Sequence, residues 1–317
     1  MNSTQRSSTA SAPGKVIITG EHFVVHGAYA VAAAINRRVN VTVSSTTKSS
    51  IITFGTRASL IGKNDGRFSA VKAVVKKTFQ EFGKPEDAIK IEIKSDIPAG
   101  SGLGSSAAVS VATAAALLRY MDLYVENSKI GEIALAGEKQ VHGNPSGIDI
   151  ESSLKGGLQL FSRASGTKSI PVERAIQLLV VFSGRKRKTA DLIAHVSEKK
   201  RQFPAFFENL CRAASFMSLE MVDTISSGDL PKLGALMNVA QTALSWIGVS
   251  TDTLDEIIET CCSEGAYGAK ITGAGGGGSV VVLPQADAAE SLLKDISKRY
   301  TTSFVTSIPQ VGLRWEE

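Results

Sequence analysis

Two glycine-rich stretches and a few ionisable residues hold most of the chemistry this sequence can offer. The first stretch is Pro98-Ala99-Gly100-Ser101-Gly102-Leu103-Gly104-Ser105-Ser106. Glycines at 100, 102 and 104 let the backbone turn its N–H groups inward, because no Cβ blocks an approaching anion. A helix starting near Ser105 adds unpaired N–H groups and the positive end of its dipole. Together these would cradle a phosphate; a purely structural turn is the competing reading. Two familiar cradles do not fit. No lysine follows the glycines as in G-x-x-x-x-G-K-[ST], and the spacing misses G-x-G-x-x-G. The cation such a site needs must come from elsewhere in the chain.

The second stretch, Thr272-Gly273-Ala274-Gly275-Gly276-Gly277-Gly278-Ser279, lies between two strand-like runs. Ordering so many glycines is entropically costly, and a tight hairpin needs only one or two, so the excess favours close approach to a ligand over a flexible linker. Lys15 follows Ala12-Pro13-Gly14 at the start of an apolar strand. It is either an edge lysine that snorkels or an amine that reaches a site. Glu138, on a helix, and Asp149, just past the turn His142-Gly143-Asn144-Pro145, approach from different directions. Phosphoryl transfer to a hydroxyl needs a magnesium ligand and a group that accepts or orients the hydroxyl proton, which suits such a pair. Unrelated surface carboxylates are the bland alternative, and His142 by itself reads as a helix-end residue.

The elements that must position these groups are legible in outline. Residues 15–19 have the β-branched run of a buried strand, residues 28–34 are small and apolar, and residues 39–43 alternate with period two. Helical spacing returns over 69–82. Ile89, Ile91 and Ile93 alternate with charged residues as an amphipathic strand, and helices follow over about 107–120 and 129–141. Strand-like runs at 158–161 and 176–182 precede a nearly all-helical stretch, 189–264. Strands at 266–272 and 279–283, a helix near 286–299 and a strand near 304–308 close the chain. Strands and helices mix in both halves without regular βαβ alternation, which predicts an α+β chain. The boundaries read as a disordered tail over 1–11, an N-terminal domain with the phosphate-binding loop over 12–165, and a C-terminal domain with the second glycine loop over 166–317.

Bulk properties narrow the classes. With 317 residues, 43% hydrophobic and 21% charged, the chain can build a sizeable core and is not disordered. Its cysteines, Cys211, Cys261 and Cys262, offer no metal-ligand spacing and suit a reducing cytoplasm. The N-terminal residues lack the apolar core of a signal peptide, and the longest uncharged apolar run, 103–118, is too short to span a bilayer. A net charge of +5 suits nucleic acid or a polyanionic small molecule equally. The one dense basic run is Arg185-Lys186-Arg187-Lys188, and aromatic content is only 6%.

Three motifs, Ala12-Pro13-Gly14-Lys15-Val16, Pro98 to Ala108 (PAGSGLGSSAA) and Lys270 to Gly278 (KITGAGGGG), stand in the order typical of a known superfamily. The chain resembles the galactokinase, homoserine kinase, mevalonate kinase and phosphomevalonate kinase superfamily over essentially its whole length after the tail. GEHFVVHG at Gly20 to Gly27 and EKQVHGNPSGID at Glu138 to Asp149 are most similar to the mevalonate kinase family. That resemblance implies a two-domain kinase fold with the active site in the cleft between domains. It also implies ATP- and magnesium-dependent phosphorylation of the mevalonate 5-hydroxyl. Asp149 would take or orient the hydroxyl proton, and Lys15 would lower the hydroxyl pKa and offset charge. Ser106 and Glu138 would hold Mg2+ against the nucleotide phosphates, with Pro98, Gly100, Ser101, Gly102, Leu103, Gly104, Ser105 and Ser106 around them. Glu21, His22, Thr189 and Ala274 would lie near the substrate, though the residues around Thr189 match only loosely.

One departure is Ile150-Glu151-Ser152-Ser153-Leu154, where the family pattern has a more apolar or small run. The chain's compactness resembles prokaryotic or archaeal members, so feedback inhibition by prenyl diphosphates is not carried over. The same resemblance implies a homodimer, while cysteine usage points to the cytoplasm and neither the apolar runs nor the charge pattern calls for a membrane or nucleic-acid partner. Competing readings are a phosphomevalonate or homoserine kinase, a kinase of another mevalonate hydroxyl, or a non-catalytic nucleotide- or nucleic-acid-binding relative. GEHFVVHG argues against the first two and the Lys15–Asp149 pair against a member without the usual base. Retention of Lys15, Glu138 and Asp149 argues against a non-catalytic relative.

Overall fold

The computed structural model describes residues 6–316 apart from 65, 144, 173, 186–188 and 286, with the backbone alone at 189 and 190. β1 (Ser7–Thr19) leads through a 3₁₀ turn (Phe23–His26) into β2 (Ala30–Thr46), then β3 (Ile51–Phe54), β4 (Arg57–Leu60), α1 (Ser69–Phe82) and β5 (Ala88–Ser95). Helices α2 (Ser105–Tyr120), α3 (Asn127–His142) and α4 (Ile148–Lys155) precede β6 (Leu158–Ser162) and β7 (Gly166–Ile170). After β8 (Gln177–Phe182) come α5 (Thr189–Gln202), α6 (Pro204–Ser227), α7 (Leu230–Trp246) and α8 (Asp252–Ser263). β9 (Ala266–Thr272), β10 (Ser279–Pro284), α9 (Ala289–Ile296), β11 (Ser303–Ser307) and β12 (Arg314–Glu316) complete the chain.

Two sheets organise these elements into the two-domain α+β fold expected. The first has the order β12-β1-β2-β5-β3-β4, with β6 paired to β2 and β7 to β6. Its pairings are antiparallel except that of β3 with β5. The second, β11-β8-β10-β9, is antiparallel throughout. Alternation in β5 buries Ile89, Ile91 and Ile93 on one face, as period two requires. Helix α2 is buried on nearly every side, against β1, β2, α1 and α3. Its run of alanines suits that place, because a small side chain lets neighbouring backbones come close on all faces. Among the described residues no helix is long and apolar enough to cross a membrane.

Several boundaries differ from the sequence reading. The disordered tail expected over 1–11 gives way to strand at Ser7, and Ala10 and Ser11 are fully buried. Here β2 and β12 flank β1 on both edges, and small side chains fit that confined space; the same Ser/Thr/Ala composition reads as a tail when no partner strand is in view. The runs at 28–34 and 39–43 belong to one long strand, β2, which pairs with β6 through its first part and β5 through its last. The expected boundary at 165/166 falls inside the β6–β7 hairpin, and the change of sheet comes between Ile170 and Gln177. β7 is polar because it is an exposed edge strand, so it resembles a linker. Finally, β12 returns from the second domain to the first sheet. Arg38 fastens it there, donating to Ser11 Oγ (2.8 Å), Ser11 O (2.9 Å) and Gly312 O (2.6 Å).

Candidate active site

Lys15 sits in the middle of β1, and only 3% of it is exposed. Its backbone N–H donates to Leu103 O at 2.9 Å, which fixes the first glycine loop against the strand. Contact is close enough to dictate residue type. A Cβ on Gly104 would lie 3.0 Å from Lys15 Cγ, and Gly104 has φ +72°, where any other L-residue is strained. Gly104 also caps the N-terminus of α2, so the helix begins where the loop meets Lys15. Leu103 is buried in the core, and Ser101 Oγ donates to Pro98 O at 2.7 Å. Ser279, on β10, donates to Ser101 O at 2.9 Å and ties the loop to the second domain. Pro98, expected among the ATP-binding residues, lies outside the cavity lining that begins at Ala99; its carbonyl closes the Ser101 turn instead.

Asp149 lies in the first turn of α4, after Gly147 at φ +95°. Its Oδ1 is 3.1 Å from Lys15 Nζ. The serines that depart from the family pattern hold this helix in place. Ser153 Oγ donates to Pro13 O on β1 at 2.9 Å, and Ser152 Oγ donates to Ile148 O at 2.8 Å. Strand, loop and helix thus bring an ammonium, a carboxylate and the first glycine loop to one place.

On α3, Glu138 is 2% exposed, and its Oε1 has no hydrogen-bond partner. Burial pushes its carboxyl up, while the Ser106 hydroxyl pulls it down. Ser106 Oγ also lies 3.3 Å from His142 Nε2. A buried, unpaired carboxylate oxygen is costly unless a cation meets it. Hard oxygen donors beside the first glycine loop fit magnesium, which takes one or two protein oxygens and completes its shell with phosphates and water.

Beyond Lys15, the chain leaves β1 through Gly20-Glu21-His22 into the 3₁₀ turn. Phe23 packs into the second-domain core, 6.2 Å from the Phe207 ring, while Val24 joins a small cluster with Ala30, Ala32, Ile148 and Phe161. The segment therefore stitches the two domains. His22 is held at φ 60°, and its Nε2 lies 3.0 Å from Ala274 O on the second glycine loop. Glu21 is ion-paired with Lys270 of β9, both buried. Burial raises the Glu21 carboxyl and lowers the Lys270 ammonium, each partner opposing the other's shift.

These groups line two adjoining cavities. One, of about 510 Å³, has Lys15, Glu21, His22, Asp149, Arg163 and Ala274 in its wall. The other, of about 500 Å³, is lined by residues 99–106 together with Ala70, Val109, Val141, His142 and Asp149. Asp149 and His142 border both. The arrangement sets the glycine-loop cavity and a largely apolar pocket, with a few charged groups in its wall, on two sides of one carboxylate–ammonium pair. Thr189 opens α5, but its side chain lies outside the described residues, as do residues 186–188 of the basic run.

The second glycine loop corrects its sequence reading. The crowding there comes from protein: a Cβ on Gly275 would lie 2.3 Å from Val249 O, and Gly276 N–H donates to that same carbonyl at 2.8 Å. Of this loop, Gly273 and Ala274 line the cavity that holds Lys15 and Glu21. Sequence reasoning also passed over Arg163, for which no motif gives a signal, and Lys270. The latter had a signal, a lysine between Ala269 and Ile271 in an otherwise apolar strand.

Comparison with known proteins shows the family to which the chain belongs. The family model described as GHMP kinases N terminal domain matches residues 69–157, and GHMP kinases C terminal matches residues 221–302. A mevalonate kinase from Aeropyrum pernix is 35% identical, with 99% of each chain covered. One from Archaeoglobus fulgidus is 37% identical, covering 97% of this chain and 99% of its own. The crystal structure of L. major mevalonate kinase in complex with R-mevalonate superposes with a TM-score of 0.83 at 27% identity, covering 98% of this chain and 97% of that one.

Proposed function

Since the chain belongs to the mevalonate kinase family of GHMP kinases, we propose that it transfers the terminal phosphoryl group of ATP to the 5-hydroxyl of mevalonate, releasing ADP and 5-phosphomevalonate. The observation that carries this reading is the Lys15–Asp149 pair, 3.1 Å apart where the two cavities meet.

Asp149 accepts or orients the hydroxyl proton as the alcohol oxygen bonds to the γ-phosphorus and the bridging oxygen leaves with ADP. Lys15 offsets charge on the attacking oxygen and the transferring group. Backbone N–H groups of residues 100–106, at the start of α2, receive the phosphates. Ser106 and Glu138 would hold magnesium, which supplies charge neutralisation on the nucleotide phosphates when bound. On the acceptor side, Arg163 is the cation in the cavity wall that suits the substrate's carboxylate, and His22 suits its polar groups. Little covalent chemistry is asked of the protein, so positioning between two cavities is the main contribution.

The reading includes a cytoplasmic location, supported by three cysteines that are unpaired in the structure. It also includes a homodimer, for which the exposed Phe206 and Phe216 of α6 offer an apolar surface. The test is a coupled ADP-release assay with magnesium-ATP and, separately, mevalonate, phosphomevalonate, homoserine or galactose. Turnover on mevalonate alone is expected; turnover on a different alcohol and not on mevalonate would overturn the substrate assignment.

A further inference from the structure

Lys270 is fully buried in an edge strand, yet its ammonium is saturated. In β9, Ala269 and Ile271 belong to the second-domain core, so alternation turns Lys270 and Thr272 the other way, toward β1. There they take both backbone groups of one residue. Thr272 Oγ1 accepts from Ile17 N–H at 2.7 Å, and Lys270 Nζ approaches Ile17 O at 3.4 Å. Lys270 Nζ also donates to Ile271 O at 2.5 Å and to the Glu21 carboxylate. An ammonium has three hydrogens, and here three acceptors receive them.

Glu21 stands in the wall of the substrate-side cavity together with Lys15, two residues before Ile17. Lys15 acts electrostatically on both members of the buried pair. The Glu21 carboxylate thus shares a cavity wall with the Lys15 ammonium, and Lys270 holds it from across the domain seam. We propose that Lys270 is a positioning residue for phosphoryl transfer: by holding the Glu21 carboxylate, it keeps that carboxylate off Lys15 and leaves the Lys15 ammonium to Asp149 and the reacting oxygens. The inference rests on the reading that Lys15 and Asp149 carry the reaction. It assigns the lysine of the second glycine motif a role in the chemistry of the other domain.

A double-mutant cycle separates this role from simple fastening of β1. Lys270→Met in the wild-type background is expected to lower kcat about 10- to 100-fold, with KM for ATP within about twofold. In a Glu21→Gln background there is no carboxylate to release, so the same substitution should change kcat by less than about threefold. Equal losses in both backgrounds, or an unchanged kcat for Lys270→Met, would overturn the proposal. Thermal unfolding identifies which variants fold. Should Lys270→Met alone not fold, Glu21→Gln with and without Lys270→Met decides: near-equal kcat supports the proposal, and a further loss of about tenfold or more refutes it. Wild-type enzyme measured in parallel keeps the two claims apart. Its failure on mevalonate sinks the substrate reading, in which case the cycle is run on the alcohol it does phosphorylate.

Discussion

A lysine inside an apolar strand is expensive unless something receives its charge, and Lys15 meets that demand with Asp149 at 3.1 Å. Asp149→Asn keeps the shape of the side chain but removes both the negative charge and the proton acceptor. We expect kcat to fall by about 10²- to 10³-fold while ATP affinity, measured by calorimetry, stays within about threefold. Near-normal turnover would remove Asp149 from the reaction. Glu138→Gln should satisfy the orphaned buried Oε1 less well with a cation and raise the magnesium concentration needed for half-maximal rate by about tenfold. An unchanged magnesium requirement would take Glu138 out of the metal site. At this scale the sequence was readable where charge interrupts a hydrophobic run. That rule picked out Lys15, and it applies equally to Lys270, which was masked by the glycines beside it. Arg163 follows a strand end with no such contrast, so only the fold brings it to the cavity.

At the scale of elements, the site depends on backbone contact between a strand and a loop. Gly104 has φ +72°, and a Cβ there would reach to 3.0 Å from Lys15 Cγ. Gly104→Ala should therefore cost about 1–2 kcal/mol of stability through the left-handed backbone alone. It should also displace Lys15, so kcat is expected to fall about tenfold or more in protein that circular dichroism shows to be folded. A variant with wild-type stability and rate would contradict the contact. Elements with a strong internal period, such as β5 and α1, could be read directly from the chain. The β3–β4 hairpin, β7 and β12 could not, because short edge strands take their conformation from a partner and carry little pattern of their own. Helix α4 was hidden for a related reason. Its serines look like loop residues until Ser153 is seen bonded to Pro13 O.

Across the whole molecule, each domain finishes the other. The second domain lends Ser279 to the first glycine loop, Thr272 and Lys270 to β1, and Ala274 to His22. The chain end then returns to pair β12 with the first residues of β1. Truncation after Leu313 removes that strand but leaves Leu313, which is only 8% exposed, in the core. We expect a loss of about 1–3 kcal/mol, seen as a lower Tm, with kcat at 25 °C within about twofold of wild type. An unchanged Tm would mean that β12 adds nothing to the sheet. The sequence gives no sign of this return, since pairing between residues 9–11 and 314–316 is set by topology rather than by local pattern.

The central claim is that the two cavities present a primary alcohol, the mevalonate 5-hydroxyl, to the γ-phosphate beside Lys15 and Asp149. Proton-coupled phosphorus NMR of the product formed from mevalonate and magnesium-ATP tests it most directly. A phosphate on the 5-oxygen couples to the two methylene protons and gives a triplet, which is the predicted result. A singlet, the signature of phosphate on the tertiary 3-oxygen, would contradict the account.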